Sequence, residues 1–229
     1  MGSAAFDVLV RGEFALFSRP EFKSERVTYP VMTPSAARGL VESVFWKPEI
    51  RWKIRRIAVL KPIQQLTILR NELGDRQGDK PFFVEDKRQP RVSLVLKDVA
   101  YVVRAEMLLN AHATDPINKY ADQFQRRLER GQCHHTPYLG CREFAAEFEP
   151  AKGDERPQPL DVALGSMLFD LAYREDGERR ELEFLAHGPE GSKDHKSRAR
   201  GYAEPVFFDA RLTGGILDVP RELYARLGR

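Results

Sequence analysis

The chain has 229 residues, 42% of them hydrophobic and 31% charged, and its 37 basic and 34 acidic side chains leave a net charge of +3. That length can bury a real core, as one domain or one domain with an extension, while so small a net charge leaves any nucleic-acid affinity to local clusters. Two cysteines build no disulfide framework, Asp7, Arg11 and Glu13 interrupt the place of a signal peptide, and no apolar run approaches the ~20 residues of a membrane span, so the expectation is a soluble cytoplasmic protein without membrane association.

An apolar strand over 6–10 opens the chain, and Gly12 marks a bend or a close backbone approach. Thr33 is a good N-cap, and Pro34 suits a first helical turn that needs no amide donor. The helix predicted over 35–46 buries Ala37, Leu40, Val41, Val44 and Phe45; Lys47 complements its last carbonyls and Pro48 stops it. A strand over 50–60 follows. Residues 71–89, polar and carrying Gly74 and Gly78, read as a loop or a protruding hairpin. Strands over 92–96 and 100–109 flank Lys97-Asp98. Asp115-Pro116 starts a second helix that ends at Gly131, and a strand over 143–148 comes next.

Strand, helix, strand, strand, helix, strand is the pattern of an α+β, ferredoxin-like (RRM-like) domain, expected over 1–150. A break rich in proline and charge over 150–159 leads to strand-like runs at 164–173, 181–185, 206–209 and 214–219. These make 151–229 a small β-rich extension.

On the second helix, Lys119, Arg126 and Arg130 fall within about 40° of one another at 100° per residue, with Arg127 at the flank. Ile117, Ala121, Phe124 and Leu128 form the opposite, apolar stripe, and Tyr120 lies at the boundary. A solvated amphipathic face is the plain reading; a stripe poor in acidic i,i+4 partners, with Asp122 and Glu129 off its centre, also suits a phosphate backbone. It could accept a DNA duplex as well.

Beyond this helix, His134 and His135 sit in a turn bounded by Gly131 and Gly140. Histidine can act as acid or base near neutral pH, although exposed turn residues touching only phosphate are the preferred reading. Cys133, His134, His135 and Cys141 supply four N/S donors, but without a C-x-x-C knuckle; the expectation is no metal and no cofactor. RNA cleavage without metal uses the 2′-hydroxyl as nucleophile, a group to take its proton, another to protonate the leaving 5′-oxygen, and a cation at the phosphorane.

Several blocks then occur together: Gly12-Glu13-Phe14-Ala15-Leu16-Phe17, the run from Tyr29 to Gly39, and Glu42-Ser43-Val44-Phe45-Trp46-Lys47-Pro48. Lys61-Pro62-Ile63-Gln64 and Tyr138-Leu139-Gly140-Cys141-Arg142-Glu143-Phe144 follow. In this order they resemble the CRISPR-associated proteins of the fifth Cas family, type I-C (the d variety); beyond Pro150 the likeness is only generic. The resemblance implies a metal-independent endoribonuclease that cuts repeat-hairpin RNA and stays on the 5′ handle of the crRNA. It also implies contacts with the backbone and large subunits of the type I-C Cascade complex. The family's catalytic Lys corresponds to Lys119, whereas its Tyr corresponds to Phe45 and its His to Tyr120. Either Tyr120 works with Lys119, or other groups such as His134 and His135 do, or cutting is slow and the protein is a structural cap on crRNA. An unrelated module that binds protein is the third reading.

The handle contacts expected from these blocks are Arg26, Tyr29, Arg38, Lys47, Arg51 and Arg142, with Arg126, Arg127 and Arg130 on the helix. Candidate stacking groups are Tyr29, Trp46, Phe82, Phe83 and Tyr138, of which Trp46, like its neighbour Phe45, reads as core. The run from Gly188 to Gly201, with Lys193, His195, Lys196, Arg198 and Arg200, reads as a basic contact segment or a solvated loop.

Overall fold

The computed structural model describes residues 2–22, 25–74, 78, 81–186 and 197–227. Ten strands and two α-helices alternate as β1 (Ser3–Ala15), β2 (Arg26–Val27), α1 (Pro34–Val44), β3 (Ile50–Val59), β4 (Gln65–Leu73), β5 (Arg88–Leu109), α2 (Ile117–Glu129), β6 (Glu147–Pro150), β7 (Val162–Glu175), β8 (Leu182–Ala186), β9 (Ser197–Thr213) and β10 (Ile216–Asp218). The protein is a mixed α/β structure with one sheet in the order β6-β1-β5-β3-β10-β9-β7. β2 and β4 join β5, and β8 joins β9; every pairing is antiparallel except β2 with β5.

β5 is the spine of the sheet. Its second half pairs with β1 on one side (Val8 opposite Val103) and β3 on the other (Ile57 opposite Val103). Its first half extends outward with β4, from Gln65 opposite Leu96 to Leu73 opposite Arg88. The expected two strands are therefore one. Asp98 takes a left-handed φ of 52° and kinks the strand without ending it, and Lys61 pairs with its carboxylate. Of 71–89, expected as a loop or a protruding hairpin, the described residues include the end of β4 and the start of β5, which pair with each other; β4 is a strand beyond those expected.

The helices pack on one face of the sheet. Phe124 of α2 stands edge-on to Phe6 of β1 and tilted against Trp52 of β3, each at 4.7 Å between ring centres. Leu40, Val41 and Val44 of α1 join the same core. Aromatic burial of this kind contributes ~1.5–3 kcal/mol per side chain. α1 begins as expected, with the Thr33 hydroxyl accepting the Ala36 amide at 3.3 Å. It ends two residues early: Phe45 is extended (φ −154°, ψ 120°), and its carbonyl accepts the Trp52 indole N–H at 2.9 Å. Pro48 also disfavours a helical Lys47. Trp46 consequently lies outside the helix and is 40% exposed, which corrects its assignment to the core.

Two glycines let the 137–145 loop clamp onto β1. A Cβ at Gly12 would lie 2.2 Å from the Leu139 side chain, while Gly140, at φ +85°, would place one 2.0 Å from the Leu16 carbonyl. The Leu16 amide donates to Leu139 O at 3.0 Å, and Leu139 is fully buried. This clamp occupies residues expected to start a strand at 143; pairing with β1 begins at Glu147 instead.

The C-terminal strands continue the same sheet, since β10 pairs with β3 (Ile216 opposite Ala58). A short 3-10 turn, Arg221–Leu227, then closes the open edge of β3. The Tyr224 hydroxyl accepts the Ile54 amide and donates to the Ile54 carbonyl, satisfying both backbone groups where β3 has a register shift. Among the described residues no helix is long and apolar enough to cross a membrane.

Candidate nucleic-acid interface and cleavage site

α2 is positioned by its buried stripe of Tyr120, Phe124 and Leu128 and stopped by a Schellman motif. Gly131 adopts φ +61°, its amide reaches Leu128 O, and the Gln132 amide reaches Arg127 O at 2.8 Å. Lys119, Arg126 and Arg130 face outward and are exposed. Eleven residues separate the first from the last, ~16 Å along the axis. The stripe is less bare than expected, because Asp115, just before the helix, pairs with Lys119 at 2.7 Å. Glu129 turns aside to accept from Gln125.

Lys119 and Tyr120 occupy the start of the helix. The hydrogen bond to Asp115 and its charge raise the Lys119 pKa, with smaller contributions from Tyr120 and Glu49. Tyr120 is buried and its pKa is raised, first by burial, then by the negative charges of Glu49 and Asp115, with Lys119 opposing. At neutral pH both groups hold their protons. Lys119 can therefore supply a cation and Tyr120 can donate a proton, but neither is a base. Phe45 is wholly buried, and its ring lies under the Arg127 guanidinium at 5.3 Å.

Arg127 is already engaged within the protein. It donates to the Val44 carbonyl at 2.8 Å, capping α1 and tying the two helices together. The His134 and His135 amides bond the Ser43 carbonyl at 2.8 and 3.1 Å, fixing their turn over the same helix end. Their imidazoles are exposed and 4.2 Å apart between centres. The histidines and the Lys119–Tyr120 pair thus flank opposite ends of α2.

The remaining candidates divide sharply. Lys47 and Arg142 are exposed. Arg26 pairs with Glu72 at 3.0 Å, and its guanidinium lies 4.0 Å from the Cys141 sulfur. Arg38 holds Asp170 through Nε at 2.7 Å and Nη2 at 2.9 Å, and Glu42 at 2.7 Å. Tyr29 is fully buried, and its hydroxyl accepts the Leu168 amide at 3.1 Å. These contacts go against the expectation for both: Tyr29 is closed to any ligand, and the Arg38 guanidinium is taken up by Asp170 and Glu42, so that the two join the N-terminal part to β7. Phe83, on the hairpin, and Tyr138 are exposed. Arg198 and Arg200 lie on β9 and share Glu183, whereas Lys193, His195 and Lys196 lie outside the described residues.

Cys133 is exposed, and Cys141 points to the Leu16 carbonyl at 3.8 Å. Among the described residues no group of three or more His, Cys, Asp or Glu is arranged to hold a metal ion. One residue escaped sequence reasoning altogether. Glu49 follows Pro48 in a loop pinned by Asn110, whose amide donates to Glu49 O at 2.8 Å and whose side chain donates to Pro48 O at 2.7 Å. Its Oε2 is buried without a hydrogen-bond partner, and its charge acts on both Tyr120 and Lys119. A lone glutamate between helix and strand carries no motif that could have revealed this.

A mixed α/β sheet backed by a helix with an exposed basic stripe is compatible with nucleic-acid binding, but the fold class serves many functions. The family described as CRISPR-associated protein (Cas_Cas5) matches residues 7–220, and the chain belongs to it. It is 57% identical over 226 residues to the CRISPR pre-crRNA endoribonuclease Cas5d of Thermus thermophilus, covering 99% of this chain and 96% of that protein. Identity to the CRISPR pre-crRNA endoribonuclease Cas5d of Mannheimia succiniciproducens is 37%, over 91% of this chain and 92% of that one. A crystal structure of a CRISPR-associated protein shares the fold with a TM-score of 0.64 at 19% identity, covering 96% and 94% of the two chains. A functionally uncharacterized protein from Streptococcus mutans does so at 0.62 and 17% identity, covering 97% and 95%.

Proposed function

We propose that this chain is a pre-crRNA endoribonuclease that binds the repeat hairpin, cuts it by attack of the 2′-hydroxyl and remains on the 5′ handle. The observation that carries this is 57% identity, nearly end to end, to a relative named for that activity. The exposed Lys119, Arg126 and Arg130 stripe supports the binding half, since ~16 Å spans four or five stacked nucleotides at ~3.4 Å each. Lys119 neutralises charge on the phosphorane, and Tyr120, kept protonated by its surroundings, donates to the leaving 5′-oxygen. His134, His135, Arg130, Lys47 and Arg142 hold phosphates of the handle.

In this reading residues 1–150 are the ferredoxin-like processing unit, which the order β6-β1-β5-β3 supports, and 151–229 are its β-rich extension, which adds to the same sheet through the β10–β3 pairing. In the type I-C complex the chain contacts the backbone and large subunits, and its basic face also accepts duplex DNA. The test is incubation of purified protein with its own repeat RNA in EDTA. A 2′,3′-cyclic phosphate product is expected, together with a loss of rate of ~10²-fold or more in Lys119→Ala and Tyr120→Phe. A persistent uncut hairpin would make the protein a structural cap.

A further inference from the structure

The face of the sheet turned away from the helices carries a basic ladder of its own. On β3, Ile50, Trp52 and Ile54 are buried in the core beneath the helices, so Arg51, Lys53 and Arg55 point to the other side. We propose that this ladder is a second RNA contact, holding phosphates of the single strand that flanks the hairpin as it passes from α2 round the end of the sheet. The inference rests on the RNA-binding half of the reading above.

Register and charge carry the argument. Arg51 and Lys53 are partly exposed and stand ~7 Å apart along the strand, close to the step between phosphates of an extended single strand. Lys53 lies opposite Glu106, but that carboxylate is taken by Arg55. Among the described residues neither Arg51 nor Lys53 has an ion-pair partner. In these two rows β1 contributes only the small, exposed Ser3 and Ala5, which leaves the cations accessible. The next row sets Arg56 directly opposite Arg104, an unfavourable pairing of like charges. Asp218 and Asp7 each take one of them from the side, at 3.2 and 3.0 Å. Five cations thus share three carboxylates, and the surplus is concentrated at Arg51 and Lys53.

The C-terminal turn fixes the ladder in place. The Tyr224 hydroxyl bonds both backbone groups of Ile54, and its ring centre lies 5.0 Å from Lys53 Nζ and 5.6 Å from the Arg55 guanidinium carbon. Burial, then the charges of Arg51 and Arg55, lower the Lys53 pKa, with Glu106 opposing, so an arriving phosphate relieves a repulsion. Position agrees with charge. Arg51 lies opposite Leu108, at the end of β5 from which the chain crosses to α2 and Lys119. A strand gripped at Lys119 can turn round this end of the sheet and continue along β3.

The deciding experiment measures binding of repeat RNA to wild type and Arg51→Gln/Lys53→Gln by fluorescence anisotropy, from about 50 to 200 mM salt. The RNA is used with and without its single-stranded flanks. On flanked RNA the double variant is expected to bind ~10-fold or more weakly at low salt, with the slope of log K against log salt reduced by ~1–1.5, at ~0.7 per phosphate. Removing the flanks should cost wild type a similar factor and the variant little. If thermal melting shows the double variant misfolded, Arg51→Gln and Lys53→Met carry the same test singly, the methionine keeping an apolar stem beside Tyr224. Unchanged affinity and slope, an equal loss with and without flanks, or a loss confined to duplex DNA would each overturn the proposal. A wild type that binds flanked RNA but never cuts it removes the endoribonuclease reading and leaves this contact standing, whereas one without salt-dependent RNA affinity removes both.

Discussion

Replacing Asp170 by Asn tests how the C-terminal strands are fastened to the rest of the protein. The Asp170 side chain is 5% exposed and that of Arg38 20%, and the two share a bidentate contact at 2.7 and 2.9 Å. Burial opposes the Arg38 charge, but Glu42 and Asp170 together hold its pKa above the ordinary value. Removing one partner of a buried pair costs ~3–5 kcal/mol, because the other charge stays behind. Glu42 remains bonded to Arg38 at 2.7 Å, so the low end, ~3 kcal/mol, is expected. For a chain of this size that lowers Tm by ~6–12 °C, at ~2–4 °C per kcal/mol. Urea denaturation at pH 7 measures the loss, and the double variant Arg38→Met/Asp170→Leu should recover all but ~1 kcal/mol of it, since a hydrophobic pair can replace a buried ion pair. A loss under ~1 kcal/mol in Asp170→Asn, or a double variant weaker than the single, would refute the reasoning.

Changing both His134 and His135 to Ala should weaken repeat-RNA binding, with cleavage at saturating protein within a fewfold of wild type; a collapse of the chemical step instead would make them catalytic. Gly140→Ala forces a Cβ to within 2.0 Å of the Leu16 carbonyl at φ +85°, and should cost at least ~2–3 kcal/mol in the same denaturation assay. Because a proton donor must be protonated to act and the Tyr120 pKa is raised above its usual ~10, the wild-type cleavage rate should not fall between pH 7 and 9. A decline in that range, abolished by Tyr120→Phe, would contradict the raised value.

Elements with local signals were legible. Thr33-Pro34 set the start of α1, the apolar stripe and Gly131 set α2, and the branched run after Pro48 set β3. What failed depended on contacts distant in the chain. β4 carries no clean alternation, because the hairpin leaves both of its faces largely open; its pairing with β5 alone makes it a strand. The end of α1 is decided by Trp52, seven residues on, claiming the Phe45 carbonyl. The join at 143–148 is decided by the Gly12 and Gly140 clamp, whose two halves are 128 positions apart.

The same division governs the site. Sequence spacing placed Lys119, Arg126 and Arg130 on one face because that depends only on helical geometry. It could not tell which cations were already engaged, since the partner of Arg38 is 132 residues away and that of Arg127 is a backbone carbonyl at the end of another helix. Nor could it show that the two candidate catalytic pairs lie at opposite ends of α2. That separation has a chemical consequence: proton transfer needs contact within ~3 Å, whereas a phosphate can be held anywhere along the strand. If cutting takes place beside Lys119 and Tyr120, as proposed, the histidine turn, some three helical turns away, is too distant to exchange protons with the same phosphate and is left with a binding role.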